Sequence, residues 1–175
     1  MKRICLCLIL VFLLSACGTR RHDMEFASGQ TAIPTTAKYY VKAAEDNSGF
    51  VFGKDDDAVD IKVVMENALV GKLKAEGMYS DNPEDAFSIK PTVKKYDPGN
   101  AFGRWLMPGV GSTVIEVSSD VSDPDGKIIG IIQTKNSVDA GGGFTMGAWK
   151  YIFEHAAGEI VKELKESMGL IAEKK

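Results

Sequence analysis

Few residues of this chain are of the types that carry covalent catalysis. Its three cysteines lie at positions 5, 7 and 17, and its two histidines, His22 and His155, are far apart in the sequence. A nucleophilic side chain needs a base within hydrogen-bond reach, usually oriented by a third group. The serines have no apparent partner of that kind. We therefore predict no catalytic residues and a protein that is not an enzyme, with an enzyme of unrecognised type as a remaining alternative.

Two acidic or glycine-rich motifs could suggest a metal or a cofactor. Asp55-Asp56-Asp57 precedes apolar residues at helical spacing, so these carboxylates are better explained as the start of a helix than as a calcium loop. The glycine-rich segment 140–148 lacks the Lys-Ser/Thr pair of a phosphate-binding loop. The sequence thus predicts neither a metal site nor a cofactor.

The first 17 residues predict a lipid anchor. Lys2 and Arg3 precede the uncharged run 4–14, which is shorter than the ~20 residues of a membrane-spanning helix and is typical of a signal peptide. The run ends in Leu14-Ser15-Ala16-Cys17, which resembles the lipobox of bacterial lipoproteins. The resemblance implies removal of residues 1–16 and acyl chains, such as palmitate, on Cys17. The alternative is an ordinary secretory signal with a chance cysteine.

The residues after the predicted cleavage point bear on the compartment. Gly18, and not an aspartate, follows Cys17; by resemblance to lipoproteins of enteric-type bacteria, this implies the outer membrane, with the domain facing the periplasm. Without Lys2 and Arg3 the chain keeps 19 basic and 24 acidic residues, a net charge of −5. Such a charge argues against nucleic acid as a partner, because nucleic-acid binding needs a basic face.

Hydrophobic periodicity predicts the architecture of the remaining chain. Residues 17–36 are small and polar, which predicts a lipidated N-terminus and flexible tether. From residue 37 the patterns predict strand, helix, three strands and a closing helix, and Asp123-Pro124-Asp125-Gly126 predicts a tight hairpin. We expect one α+β domain over 37–168 with a C-terminal tail at 169–175. Its small, mainly antiparallel sheet (β-α-β-β-β-α) has both helices packed on one face.

One segment is too apolar for an ordinary loop and too irregular for a helix. Residues 100–112 read NAFGRWLMPGVGS. Exposed apolar patches mark interaction sites, and Trp, Met and Arg are enriched at interfaces. The alternative is that these side chains fold back onto the core. The predicted contact residues for a partner or a membrane are Phe102, Arg104, Trp105, Leu106, Met107 and Val110.

A resemblance to a known family rests on the run RWLMPGVGSTVIEVSSDVSDPDGKIIGIIQTKNSVDAGGGF and the helix after it. With its arginine- and glycine-containing segment, Asp/Gly hairpin turn and glycine cluster, the chain resembles the bacterial lipoproteins of domain of unknown function 4410, over roughly residues 37–168. The resemblance implies a small periplasm-facing α+β domain and brings no catalytic residues.

The leading hypothesis is a membrane-anchored lipoprotein that acts as a non-catalytic binding or assembly module in a cell-envelope complex, through an envelope protein partner or through self-association. The main alternative is a ligand- or lipid-sensing periplasmic lipoprotein.

Overall fold

A computed structural model describes residues 24–27, 33–51, 60–100, 111–138 and 148–169. The described elements, in chain order, are β1 (Met24–Phe26), β2 (Tyr39–Val41), β3 (Glu45–Asp46), α1 (Ile61–Ala75), β4 (Phe87–Asp97), β5 (Thr113–Ser122), β6 (Ile128–Val138) and α2 (Ala148–Ser167).

The three long strands form an antiparallel meander at the centre of a six-stranded sheet. The strand order is β1-β6-β5-β4-β2, and β3 also pairs with β4. Val93 of β4 lies opposite Val117 of β5, which in turn lies opposite Thr134 of β6. The turn between β5 and β6 falls on Asp123-Pro124-Asp125-Gly126, so the predicted hairpin is confirmed.

Helix α1 shows why apolar residues at three-and-four spacing form a helix with one buried side. Ile61, Met65, Leu69 and Leu73 are all buried. The N-cap is Asp60, whose side chain accepts a hydrogen bond from the Lys62 amide at 3.0 Å. Residues 55–57, predicted to start this helix, lie outside the described part of the chain.

Helix α2 closes the fold with a second apolar stripe. Its buried residues include Phe153, Ile160 and Leu164, which join the same core as the buried side of α1. Lys165 of α2 forms an ion pair with Glu76, just after α1, at 2.7 Å. The α+β prediction with a mainly antiparallel sheet is therefore confirmed. No helix among the described residues is both long and apolar enough to cross a membrane.

The N-terminal edge of the sheet lies within the predicted tether. Strand β1 pairs antiparallel with β6, with Met24 opposite Ile132 and Phe26 opposite Gly130. Ile33 is buried in the core as well. The folded domain thus begins before residue 37. The sequence pattern did not predict this, because pairing along a strand edge needs only backbone groups and three residues are too few to show a periodicity.

Pro91 lies in β4, and because a proline lacks an N–H its presence in a strand predicts an edge or a bulge. Pro91 is buried, and β4 lies between β5 and the short parallel strands β2 and β3. Proline fits there because β2 and β3 pair with β4 on either side of it, at 87–89 and 92–93. Its missing N–H faces an interruption of the neighbouring strand, so β4 is not an exposed edge at Pro91, and the irregularity of this strand lies nearby, between Val93 and Lys95.

Candidate contact surface

The predicted site residues lie outside the described part of the chain. These are the lipidation residue Cys17 and the contact residues Phe102, Arg104, Trp105, Leu106, Met107 and Val110. The structure does describe the two points at which the segment 101–110 leaves the sheet and returns to it. The Asn100 amide donates a hydrogen bond to the Gly111 carbonyl at 2.9 Å. The ten intervening residues therefore start and end at one place, at the end of β4 and the start of β5.

We call residues 97–100 and 111–113 the neck. Gly99 and Gly111 both have positive φ, 65° and 72°. A Cβ on Gly111 would lie 2.6 Å from the Asn100 carbonyl oxygen, and a Cβ on Gly99 would overlap the Gly111 carbonyl oxygen. Glycine is needed at both positions, because the two chain segments approach too closely for any side chain.

Side chains from the two strands fasten the neck to the sheet. The Asp97 carboxylate accepts a hydrogen bond from the Gly99 amide at 2.8 Å. The Thr113 hydroxyl donates to the Pro98 carbonyl at 2.7 Å, and Thr113 is fully buried. These bonds satisfy backbone groups that the turn removes from the ladder. The neck is thus a defined structure and not a loose connection.

Aromatic packing under the neck ties it to the core. Tyr96 stacks edge-on against Phe50 and also contacts Phe153 of α2, with ring centroids 5.2 Å apart in both pairs. Burial, with a smaller effect from the Asp97 charge, raises the pKa of the Tyr96 phenol to about 12. Because Tyr96 directly precedes the neck, the core fixes the position of the neck.

The face of the sheet away from the helices is polar. Lys95, Glu116 and Lys135 lie side by side across β4, β5 and β6, and the Lys135 ammonium is 2.8 Å from the Glu116 carboxylate. Near this row is a shallow depression of about 250 Å³ lined by Lys94, Glu116, Val117, Ser118, Gln133, Thr134 and Lys135. It is wide open and offers polar contacts without a deep pocket.

Further along the same face, Lys90 and Glu45 form an ion pair of 2.5 Å. The hydrogen bond and charge of Lys90 lower the pKa of Glu45, and those of Glu45 raise the pKa of Lys90. Both groups are well exposed, so the pair contributes little to stability. The ion pair keeps the Glu45 carboxylate ionised and bound to Lys90, which does not suit a general acid or base.

The described residues contain no group of three or more His, Cys, Asp or Glu side chains that could hold a metal ion. His155 is exposed on α2.

Sequence reasoning identified the apolar segment and missed the neck. The run Asp97-Pro98-Gly99-Asn100 predicts a turn, and Gly111 is one of several glycines in the segment. The only sequence signal was that glycines flank the segment on both sides. The pairing of Gly99 with Gly111 depends on the β4–β5 register, which places the two chain ends together.

Solved structures share this fold. The chain is 13% identical to the protein in a PelC dodecamer from Paraburkholderia phytofirmans, with a TM-score of 0.51, covering 81% of this chain and 98% of that one. A crystal structure of an uncharacterised protein is similar at 15% identity and a TM-score of 0.52, covering 77% of this chain and 95% of that one. At these identities the likeness shows the fold alone.

Sequence comparison indicates a family without an assigned activity. No curated protein matches the chain significantly. The family model described as domain of unknown function (DUF4410) matches residues 28–142, which is more than half of the chain and includes the strand meander and the neck. No catalytic family is indicated. The chain belongs to the DUF4410 family.

Proposed function

We propose that this protein is a membrane-anchored bacterial lipoprotein whose domain is a non-catalytic binding and assembly module of a cell-envelope complex. The observation that carries the proposal is the neck. At one end of the sheet it brings together the residues that flank the apolar segment 101–110, through glycines that tolerate no side chain. Fixed ends lower the conformational entropy that a segment loses on binding, and this supports a contact role for 101–110.

The anchor is the first part of the proposal. A basic start, a short apolar run and Leu14-Ser15-Ala16-Cys17 support lipidation of Cys17. Stable attachment takes two or more acyl chains, as a single chain holds a protein only marginally. Because Gly18 follows Cys17, we propose the outer membrane with the domain facing the periplasm.

Assembly is the second part of the proposal. The segment 101–110 contains Arg104, Trp105 and Met107, residue types that are enriched at protein interfaces. The PelC protein of similar fold is a dodecamer. That assembly makes self-association a concrete form of binding to test in this chain, beside contact with another envelope protein.

Photo-crosslinking in intact cells tests the contact. A photoreactive residue replaces Trp105, and a matched control replaces Asp125, which is exposed in the hairpin at the other end of the sheet. We expect a discrete protein adduct from position 105 and none from position 125. An adduct of twice the chain's mass would identify self-association. Adducts to phospholipid alone, or equal adducts from both positions, would contradict a binding module.

The anchor has its own test. Cells fed an alkyne analogue of palmitate should label the chain, and Cys17→Ser should abolish the label and release the protein from the membrane fraction. A Cys17→Ser protein that stays fully membrane-bound would show that the anchor lies elsewhere.

A further inference from the structure

We infer that the outer face of helix α1 is an interface between two copies of this chain, whose α1 helices pack antiparallel about a two-fold axis at Asn67. The inference rests on the proposed assembly role and gives it a partner, a second copy. It does not involve the segment 101–110. The outer face of α1 consists of Asp60, Val63, Asn67, Val70, Gly71 and Lys74.

The middle of the outer face is apolar although it is turned toward solvent. With 3.6 residues per turn, its positions lie on the side of α1 opposite the buried residues Met65 and Leu69. Val63 is 49% exposed, Gly71 is exposed and Val70 is half-buried. A surface helix normally carries charged and polar residues on this side. Two valines and a glycine thus lie where α1 does not pack on the core of its own domain.

Gly71 is not explained by the packing of its own domain. It lies inside a helix, where glycine is less favourable than alanine because it loses more backbone freedom on folding. Its φ is not positive, and a Cβ there would meet nothing within 4 Å among the described residues. A position without a side chain lets another backbone approach closely. Gly71 therefore fits a contact with a second molecule.

The outer face is complementary to itself in the antiparallel direction. With Asn67 at the axis, a residue four positions before it in one copy lies opposite the position four after it in the other. Val63 then faces the turn that contains Val70 and Gly71, so its side chain fits beside a position that has none. The Asn67 amides of the two copies meet, and each can donate to and accept from the other.

The charges at the two ends of the face also pair in this arrangement. Asp60 lies seven positions before Asn67 and Lys74 seven after it, so each carboxylate meets an ammonium of the second copy. A parallel pair would instead place like charges together. Asp60 caps its own helix and its carboxylate is 3.8 Å from the Lys62 ammonium, but both side chains are 50% exposed. The Lys74 ammonium lies 4.8 Å from the centre of the Tyr79 ring, and Lys74 is exposed.

One pair of helices makes a small interface. Stable interfaces bury about 1,200–2,000 Å² in total, and two helices of four turns lie at or below the lower end of that range. Such a contact is weak between freely diffusing molecules. Attachment to one membrane, as proposed for Cys17, raises the effective concentration of the copies. We therefore expect the dimer between anchored copies and not in dilute solution.

Disulfide trapping in native membranes tests the arrangement. In the full-length chain, Asn67→Cys places a thiol at the axis, where the two Cα atoms come within the ~7 Å that a disulfide spans. Val63→Cys is the matched control, because its two copies would lie about 12 Å apart along the helix axes. Oxidation should give severalfold more linked dimer from Asn67→Cys than from Val63→Cys. No dimer from Asn67→Cys, or as much from Val63→Cys, would overturn the inference.

Two further controls exclude other sources of a linked dimer. Tyr151→Cys places a thiol on α2 at a side chain that is 54% exposed and away from the outer face. The unsubstituted chain reports any linking through Cys17, whose thiol the proposed lipid blocks. Both should give no dimer. A dimer from Tyr151→Cys equal to that from Asn67→Cys would show random collision and would also overturn the inference.

Gly71→Leu separates the contact from folding. The leucine enters open space, and it is a better helix former than glycine, so the melting temperature should not fall. On the outer face, however, it keeps the two helices apart and should lower the Asn67→Cys dimer severalfold. An undiminished dimer in a folded Gly71→Leu protein would contradict the close approach.

A charge variant tests the pairing of the ends. Lys74→Glu places two carboxylates together across the interface and should lower the Asn67→Cys dimer severalfold. Adding Asp60→Asn removes that repulsion while keeping a good N-cap, and should restore most of the dimer. An unchanged dimer in Lys74→Glu would contradict the antiparallel register.

The inference and the proposed function fail separately. A chain that gives no dimer at position 67 but a discrete adduct to another protein at position 105 disproves the inference and leaves the binding module. A chain that gives neither disproves both.

Discussion

Two connections join β5 to its neighbours, and they are built on different principles. The β5–β6 hairpin is short and exposed, and Asp123 alone organises it. Its amide donates to the Lys127 carbonyl, and its carboxylate and carbonyl accept from the Lys127 and Gly126 amides, all at 2.9 Å. The β4–β5 connection closes through a neck whose two glycines contact each other's chain segment.

The difference separates local from tertiary control of a loop. Gly126 also has positive φ, 82°, but a Cβ there would meet nothing within 4 Å. That glycine serves the turn conformation only. Gly99 and Gly111 serve both a conformation and a close approach between residues twelve apart in sequence. The hairpin glycine thus depends on a local turn, whereas the neck glycines also depend on the approach of two chain segments.

The largest expected effect tests whether the neck rests on the main core. Phe153→Ala removes the ring that packs under Tyr96 and should lower the free energy of unfolding by about 3–5 kcal/mol. Tyr151→Ala, at a side chain 54% exposed on the same helix, should change it by less than about 0.5 kcal/mol. Urea unfolding of residues 18–175 measures both. A loss under about 1 kcal/mol for Phe153→Ala would mean that α2 does not support this end.

The next contrast compares the glycines of the two connections directly. Gly126→Ala should cost about 1–2 kcal/mol, the price of a left-handed conformation for an L-residue. Gly111→Ala adds overlap with the Asn100 carbonyl and should cost about 2–5 kcal/mol. Thermal and urea unfolding of the two variants give the comparison. Equal losses would show that the neck opens to relieve the overlap.

A smaller contrast concerns single hydrogen bonds. Thr113→Val keeps the shape of a buried side chain and removes its bond to the Pro98 carbonyl, which should cost about 1–2 kcal/mol. Asp123→Ala removes bonds to the carboxylate at an exposed turn and should cost about 0.5–1 kcal/mol. Hydrogen exchange adds a local readout: the Asn100 amide should exchange faster in Thr113→Val and unchanged in Asp123→Ala. The reverse pattern would place the weak point in the hairpin.

The smallest expected effect concerns the Tyr96 phenol and its contribution to stability, which changes only at high pH. Tyr96 has an ordinary phenol pKa of 10.0 when unfolded and about 12 when folded, so its contribution is complete below pH 10 and is lost as the pH rises from 10 to 12. Tyr96→Phe should therefore lose less stability than the native chain over this range. Burial also raises the pKa of Tyr39, which remains in both proteins. Melting temperatures at pH 8 to 12 measure the effect, and parallel curves for the two proteins would contradict it.

How far the sequence predicts the fold depends on the range of the interaction. Helix α2 and the β5–β6 hairpin follow from periodicity and turn residues, since the relevant neighbours are a few positions away. Strand β1 could not be predicted in this way, because three residues are too few to show a periodicity and Met24 pairs with a residue that is distant in the sequence, Ile132. The candidate contact segment was predicted from its apolar composition. The contact between Gly99 and Gly111 at its two ends was not predicted.

By itself, the sequence determined the α+β class, the two amphipathic helices, the hairpin at Asp123–Gly126 and the expectation of a lipid at Cys17, because each depends on residues close in the chain. Only the tertiary structure decided that Gly99 meets Gly111, that Pro91 is internal and that Met24 joins the sheet. Those features depend on strand register and order, and a backbone hydrogen bond between distant residues leaves almost no mark on side-chain patterns.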